Sequence, residues 1–130
     1  MTALDVLLVD DSPITRRAQR RMLEIGGVPL GHVDEAADGM DALAKLEAHR
    51  FDLVLWDLHM PRMGGVAVLT AVRRDPAYGS PKVLFVSSDH SEARRDRLLQ
   101  AGAEDFLRKP LTPEKLLSAL ERIYPDMEAA

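Results

Sequence analysis

Cysteine is absent from the 130-residue sequence, so a disulfide framework, a thiolate metal site and a cysteine nucleophile are excluded. Long hydrophobic runs are absent as well, because no segment approaches the roughly 18 apolar residues that a membrane-spanning helix needs. The first residues also lack the basic stretch and extended apolar run of a signal peptide. Together these absences predict a cytoplasmic protein with no membrane partner.

The chain also has no excess of basic residues. It has 21 Asp and Glu against 17 Lys and Arg, for a formal charge of -4, which argues against a nucleic-acid-binding protein. With 46% hydrophobic residues, a chain of this length can bury a core without disulfides or metal. We therefore expect a single domain over residues 1–130, with a core from about residue 4 to about residue 124 and a short C-terminal tail.

Three short apolar runs, at residues 6–9, 53–56 and 83–86, contain many branched and aromatic side chains. They are too short for helices and apolar on both faces, which is typical of strands buried inside a parallel sheet. Two runs of mixed polarity, at residues 33–36 and 105–108, fit strands at the sheet edges. Helical patterns separate the runs, so the chain is predicted to be an α/β protein. It would have (βα) repeated five times and helices on both faces of a five-stranded parallel sheet.

The first helical segment carries an apolar stripe at helical spacing, which we expect to face the core. The stripe consists of Ile14, Ala18, Met22 and Ile25. Ser12 is placed to cap this helix, and Pro13 suits its first position. Thr112 and Pro113 mark the start of the last helix in the same way.

A polar side chain follows four of the predicted strands. Asp10 and Asp11 follow the first strand, Asp57 the third, Ser87 the fourth and Lys109 the fifth. In an open parallel sheet, ligands bind at the carboxyl ends of the strands. We therefore expect these groups to meet although they are far apart in sequence. Each alone is an ordinary loop residue, so the prediction rests on the ordered set.

The residue types in this set indicate phosphoryl chemistry. Carboxylates on one edge repel one another, and a hard divalent cation such as Mg²⁺ relieves that repulsion while keeping several of its waters. A carboxylate is ordinarily ionised at neutral pH, so Asp57 could attack phosphorus without a general base. Lys109 and the Ser87 hydroxyl could then stabilise the phosphoryl oxygens.

The strand ends lie in five short motifs: LLVDDS at residues 7–12, DLHMPRMGG at 57–65, VSS at 86–88, AGAEDF at 101–106 and KP at 109–110. As an ordered set, these motifs resemble the receiver domain of two-component response regulators, of the single-domain, CheY-like kind. The resemblance covers almost the whole chain. It implies a flavodoxin-like, doubly wound fold with strand order 2-1-3-4-5.

The resemblance also implies a Mg²⁺-dependent phosphoacceptor site. Asp57 would accept a phosphoryl group from a histidine kinase or a phosphotransfer protein. Asp10, Asp11 and Asp57, together with the backbone carbonyl of His59, would hold the metal. Asn or Asp is frequent in the family where His59 stands, but the metal needs only the carbonyl.

A conformational switch is implied as well. Ser87 would move toward the phosphoryl group, Lys109 would pair with that group, and Phe106 would turn inward or outward with the move. Phe106 lacks the hydroxyl of the tyrosine often found there, so its outward state cannot donate a hydrogen bond. The Lys109–Pro110 peptide bond would be cis. The signal would pass to an unknown target protein through the fourth helix, fifth strand and fifth helix.

Other functions are compatible with parts of the pattern. The chain could be a binding module that keeps the pocket without using phosphorylation, or a receiver fragment of a larger hybrid kinase. A phosphatase with an aspartyl intermediate would need a second aspartate two positions after Asp57, where His59 stands. We therefore expect no enzymatic activity beyond the chain's own phosphorylation and dephosphorylation, in a monomer or weak homodimer.

Overall fold

Five parallel strands alternate with five α-helices in the computed structural model, which describes residues 3–58, 65–88 and 91–128. The strands are β1 (Leu4–Val9), β2 (Leu30–Ala36), β3 (Leu53–Asp57), β4 (Lys82–Ser87) and β5 (Asp105–Arg108). The helices are α1 (Pro13–Ile25), α2 (Gly39–Ala48), α3 (Gly65–Arg74), α4 (Glu92–Gln100) and α5 (Pro113–Ile123). The strand order is β2-β1-β3-β4-β5. The predicted flavodoxin-like fold, with β2 and β5 at the edges, is confirmed.

The sheet is covered on both faces, which explains why the central strands are continuously apolar. Successive strand residues point to opposite faces, so alternate side chains of β1 belong to two separate clusters. Leu7 and Val9 pack in the cluster that includes side chains of α2, α3 and α4. Leu4, Val6 and Leu8 pack in the cluster that includes side chains of α1 and α5. The two-sided core fixes the sheet and therefore the positions of its strand ends.

Helices α1 and α5 begin at the capping residues that the sequence predicts. The Ser12 hydroxyl accepts a hydrogen bond from the backbone N–H of Thr15 at 3.3 Å, and Pro13 occupies the first position of α1. The Thr112 hydroxyl accepts from the N–H of Lys115 at 3.2 Å at the start of α5. No helix in the described part of the chain is long and apolar enough to cross a membrane.

The predicted inward face of α1 is wrong except at Met22, which is partly buried and packs against the core. Ile14 is 76% exposed and Ile25 is 60% exposed, whereas Gln19 and Leu23 are buried. The inward stripe is instead Arg16, Gln19 and Leu23, whose spacing of three and four residues is also helical. The half of this inward stripe nearest the strand ends is polar. Apolar periodicity therefore selects residues such as Ile14 and Ile25 on the solvent-facing side of the helix.

Candidate functional site

The sheet brings most of the predicted site residues together at the carboxyl ends of its strands. Asp57 is the last residue of β3 and Ser87 the last residue of β4, while Asp10 and Lys109 directly follow β1 and β5. Asp10 and Asp57 are 0% exposed, and Ser87 is 5% exposed. Neighbouring strands β1, β3, β4 and β5 therefore end in carboxylate, carboxylate, hydroxyl and ammonium groups.

Asp57 and Lys109 form an ion pair at this edge. The distance from Lys109 Nζ to Asp57 Oδ2 is 2.6 Å, and the lysine side chain is 33% exposed. The backbone N–H of Lys109 donates to the carbonyl of Ser87 at 2.8 Å, which ties the loop after β5 to the end of β4. The Lys109–Pro110 peptide bond is cis, as the resemblance implied. A buried carboxylate is stable when an opposite charge and hydrogen bonds meet it, and Lys109 supplies the charge.

Asp10 is fixed by the turn that leads into α1. Its Oδ1 accepts a hydrogen bond from the backbone N–H of Ser12 at 2.7 Å. Its own N–H donates to the carbonyl of Ala36, at the end of β2, at 3.1 Å. Asp11, the next residue, is exposed. Of the two adjacent carboxylates, that of Asp10 is therefore buried and that of Asp11 is exposed.

The donor set suits a hard divalent cation. Carboxylate oxygens are the ligands that Mg²⁺ prefers, and a Mg²⁺ ion that keeps several waters needs few of them. Within residues 3–58, 65–88 and 91–128, no three acidic or histidine side chains form a ready-made metal cluster. His59, predicted to add its backbone carbonyl, lies outside the described residues. The buried Asp10 and Asp57 carboxylates are the observation that fits the cation.

Sequence reasoning missed Gln19. Its side chain is 3% exposed, and its Oε1 has no hydrogen-bond partner among the described residues. It lines a cavity of about 160 Å³ that also borders Asp57 and Lys109. The helical spacing of Arg16, Gln19 and Leu23 was the available signal.

The predicted switch residues lie on adjacent strands. Phe106 of β5 is 5% exposed and pairs in register with Phe85 of β4, and Ser87 pairs with Arg108. The buried position of the Phe106 ring corresponds to the inward state of the predicted switch. Phe106 also borders a surface pocket of about 410 Å³ between α4 and α5. The other residues of this pocket are Glu92, Arg95, Leu107, Arg108 and Lys115.

The chain belongs to the response regulator receiver domain family, whose model matches residues 6–121. This match confirms the resemblance seen in the motifs, and with it the two-component class of the protein. The matched range reaches from β1 into α5 and so contains every predicted site residue.

Known proteins of this class are similar in sequence and in structure. The chain is 38% identical over 122 residues to the gliding motility regulatory protein of Myxococcus xanthus; the match covers 92% of this chain and 15% of that longer protein. The chemotaxis protein CheY4 of Vibrio cholerae has a similar structure, with a TM-score of 0.80, 36% identity and coverage of 95% of this chain and 99% of that one. The receiver domain of the sensor histidine kinase PA1611 of Pseudomonas aeruginosa was solved with a magnesium ion in its active site cleft. Its TM-score is 0.76 at 27% identity, with coverage of 93% and 97%.

Proposed function

We propose that this receiver domain is a phosphorylation switch in which Asp57 accepts a phosphoryl group from a histidine kinase or a phosphotransfer protein. The observation that carries the proposal is the fully buried Asp57 carboxylate at the end of β3, with the Lys109 ammonium 2.6 Å away. The protein would be a single domain located in the cytoplasm. It would catalyse only its own phosphorylation and dephosphorylation.

In the proposed reaction, one carboxylate oxygen of Asp57 attacks the phosphorus of a phosphohistidine. A P–O bond forms at Asp57 while the P–N bond to the imidazole breaks, and the departing imidazole takes up a proton from solvent. Lys109 has three N–H donors, so it can keep its contact with the carboxyl group and also donate to a phosphoryl oxygen. Ser87, at the end of the neighbouring strand, can donate its hydroxyl to the same group.

Asp10, Asp11 and Asp57, with the carbonyl of His59, would hold Mg²⁺ in this site. When bound, the ion would offset the negative charge of the carboxylates and of the phosphoryl oxygens. The magnesium ion in the cleft of the related PA1611 domain supports this proposal.

The phosphoryl donor would approach along α1. The cavity that reaches Asp57 is lined on one side by α1 and on the other by Pro110 and Leu111. Ile14 and Ile25, on the same helix, are exposed apolar side chains. The exposed Arg21 lies beside Ile25, four residues before it in the helix. These features suit a partner helix with apolar and acidic side chains.

The output would leave through the face of α4, β5 and α5. The pocket beside Phe106 contains three cationic side chains and one anionic one, so it fits an acidic target segment. Glu92 already pairs with Arg108 at 2.6 Å on this face. We expect outward movement of Phe106 to reshape this pocket when Asp57 is phosphorylated.

The test is intact-mass analysis after incubation with Mg²⁺ and a small acyl phosphate. We expect the wild-type chain to gain one phosphoryl group and Asp57→Asn to gain none, with Asp126→Asn as a matched control. A wild-type mass that stays unchanged with several donors and with a cognate kinase would refute the proposal.

A phosphorylation-independent binding module is the competing function. It predicts that a target protein binds the phosphorylated and unphosphorylated chains with equal affinity. The switch predicts different affinities, with the difference lost in Asp57→Asn. Isothermal titration of each form separates the two.

A further inference from the structure

Arg16, in the first turns of α1, contacts both the acidic loop and the edge strand β2. Its Nη1 donates to the backbone carbonyl oxygen of Asp10 at 2.6 Å, and its Nε donates to Glu35 Oε1 at 2.7 Å. The side chain is only 14% exposed. Arginine is seldom this buried without specific partners, and both partners here lie on elements other than α1.

The contact with the carbonyl completes the restraint of Asp10. The Asp10 N–H is bonded to Ala36, its carboxylate accepts from Ser12, and its carbonyl accepts from Arg16. Because the peptide unit is planar, a fixed Asp10 carbonyl also fixes the plane from which Asp11 starts. Arg16 therefore influences where both carboxylates of this loop lie.

Glu35, at the other end of the arginine, is held to the sheet. It pairs in register with Leu8 of β1, and its own N–H donates to Asp34 Oδ1 at 2.8 Å. The ammonium of Lys45, on α2, donates to the Glu35 carbonyl. The backbone of Glu35 is thus held in place, and its side chain, which is 39% exposed, contacts the guanidinium.

We propose that Arg16 is a positioning residue: bridged between Glu35 and the Asp10 carbonyl, it orients the Asp10–Asp11 peptide so that both carboxylates can hold a divalent cation. The inference rests on the proposed function, because it assigns Arg16 a part in the metal site. A fixed positive charge near a metal site repels the metal, so the contribution of Arg16 is its geometry. The guanidinium meets the two acceptors with two different nitrogens, Nε and Nη1, held in one rigid plane, and the single nitrogen of a lysine of equal charge does not reproduce that geometry.

The test compares Arg16→Lys with Arg17→Lys by magnesium titration. Trp56 is 2% exposed and directly precedes Asp57, so its fluorescence and the backbone amide NMR signals can report binding. We expect Arg16→Lys to bind Mg²⁺ about tenfold more weakly than the wild type, as is common when a group that orients a metal ligand is changed. Arg17→Lys, which changes an exposed neighbour in the same helix, should bind as the wild type does. Glu35→Gln keeps an acceptor oxygen but loses the charge, and it should weaken binding less than Arg16→Lys.

Metal-free NMR spectra separate positioning from a general loss of stability. The amide signals of Asp10, Asp11 and Ser12 should shift in Arg16→Lys and stay in place in Arg17→Lys. If Arg16→Lys does not fold, the magnesium titration and the metal-free NMR spectrum are measured on Glu35→Gln instead. Equal Mg²⁺ affinity of the wild type and the folded variants would overturn the inference while leaving the proposed function intact. A wild-type chain that neither binds Mg²⁺ nor becomes phosphorylated would instead refute the proposed function.

Discussion

At the scale of single residues, the polar groups buried in the described part of the chain are concentrated at the proposed site. They are Asp10, Gln19, Asp57 and Ser87. Burial of a polar group destabilises a fold unless hydrogen bonds or an opposite charge compensate for the lost water. A core with apolar residues at these positions would be more stable but could not take part in phosphoryl transfer, so stability and function oppose each other here.

Asp57→Asn should raise the free energy of unfolding of the metal-free protein by about 1 kcal/mol, because it removes one of the two carboxylates that are fully buried among the described residues. Lys109 is one-third exposed, so it can turn toward solvent when its partner loses the charge. Mg²⁺ should stabilise the wild type by mass action and stabilise the variant much less. Urea unfolding with and without Mg²⁺ measures both effects. The expectation fails if the two chains respond equally to the metal.

Lys109→Met removes the cation of the Asp57–Lys109 ion pair and not the carboxylate. It leaves the Asp57 carboxylate buried without its cation, so the metal-free protein should lose about 2 kcal/mol of stability. Adding Asp57→Asn to Lys109→Met should restore most of that loss. An additive double variant would show that the two side chains do not interact energetically.

Gln19→Met should stabilise the fold by about 1 kcal/mol, because it replaces a buried amide oxygen that lacks a hydrogen-bond partner among the described residues with an apolar group of similar size. Arg20→Met, at the next and exposed position of α1, is the control and should change stability little. Thermal unfolding of both variants checks this. A Gln19→Met protein less stable than the wild type would contradict the expectation and show that the amide is compensated.

At the scale of elements, the Asp5 side chain joins β1, β2 and the end of α2. It lies near the amino ends of the strands, whereas the proposed site lies at their carboxyl ends. The backbone N–H of His32 donates to Asp5 Oδ1 at 2.8 Å, and His49 Nε2 lies 3.0 Å from Asp5 Oδ2. The hydrogen bond from His32 and the contact with His49 hold the pKa of Asp5 below its ordinary value. Ionised Asp5 therefore stabilises the junction of the three elements.

The sign of the pH dependence follows from this lowered pKa. The stabilisation is present above the pKa of Asp5 in the unfolded chain and is lost as the pH falls through the lower pKa of the folded chain. The unfolding free energy of Asp5→Asn should therefore fall less than that of the wild type between about pH 5 and about pH 2.5. Asp126→Asn, at an exposed position, serves as control. If the unfolding free energies of the wild type and Asp5→Asn fall in parallel with pH, ionised Asp5 does not stabilise this junction.

The strands and the strand-end residues could be predicted because each depends on a local pattern. The central strands are short apolar runs, and the prediction for residues 105–108 has the same bounds as β5. At the edge, β2 starts at Leu30, three residues before its predicted start, because mixed polarity hides the beginning of an edge strand. Asp57 and Lys109 meet as expected because parallel strands end together.

The orientation of α1 could not be predicted in the same way. Apolar spacing gave the helix but selected Ile14 and Ile25, which are exposed. The inward side includes Arg16 because two acceptors, the Asp10 carbonyl and Glu35, lie there, and these come from loop and strand positions distant in sequence. A polar contact of this kind has no periodic signature, so only the folded chain reveals it.

At the scale of the whole molecule, the proposed phosphoacceptor site and the proposed output face lie at different places in the fold. Asp57, the proposed phosphoacceptor, lies at the carboxyl end of β3, between β1 and β4. The pocket beside Phe106 lies between α4 and α5. The pairing of β4 with β5 connects them, since Ser87 and Phe106 lie on these adjacent strands. If Ser87 contacts a phosphoryl group on Asp57 as proposed, the change could pass through these strands to the proposed output face.

The most direct test of the account is chemical identification of the phosphorylated residue. Borohydride reduces an aspartyl phosphate to homoserine, which peptide mass spectrometry can assign to a sequence position. After treatment with Mg²⁺ and a small acyl phosphate, we expect homoserine at position 57 in the wild type and no homoserine in Asp57→Asn. Homoserine at position 10 or 11, or its absence from a wild-type chain treated in the same way, would contradict the assignment of Asp57 as the phosphoacceptor.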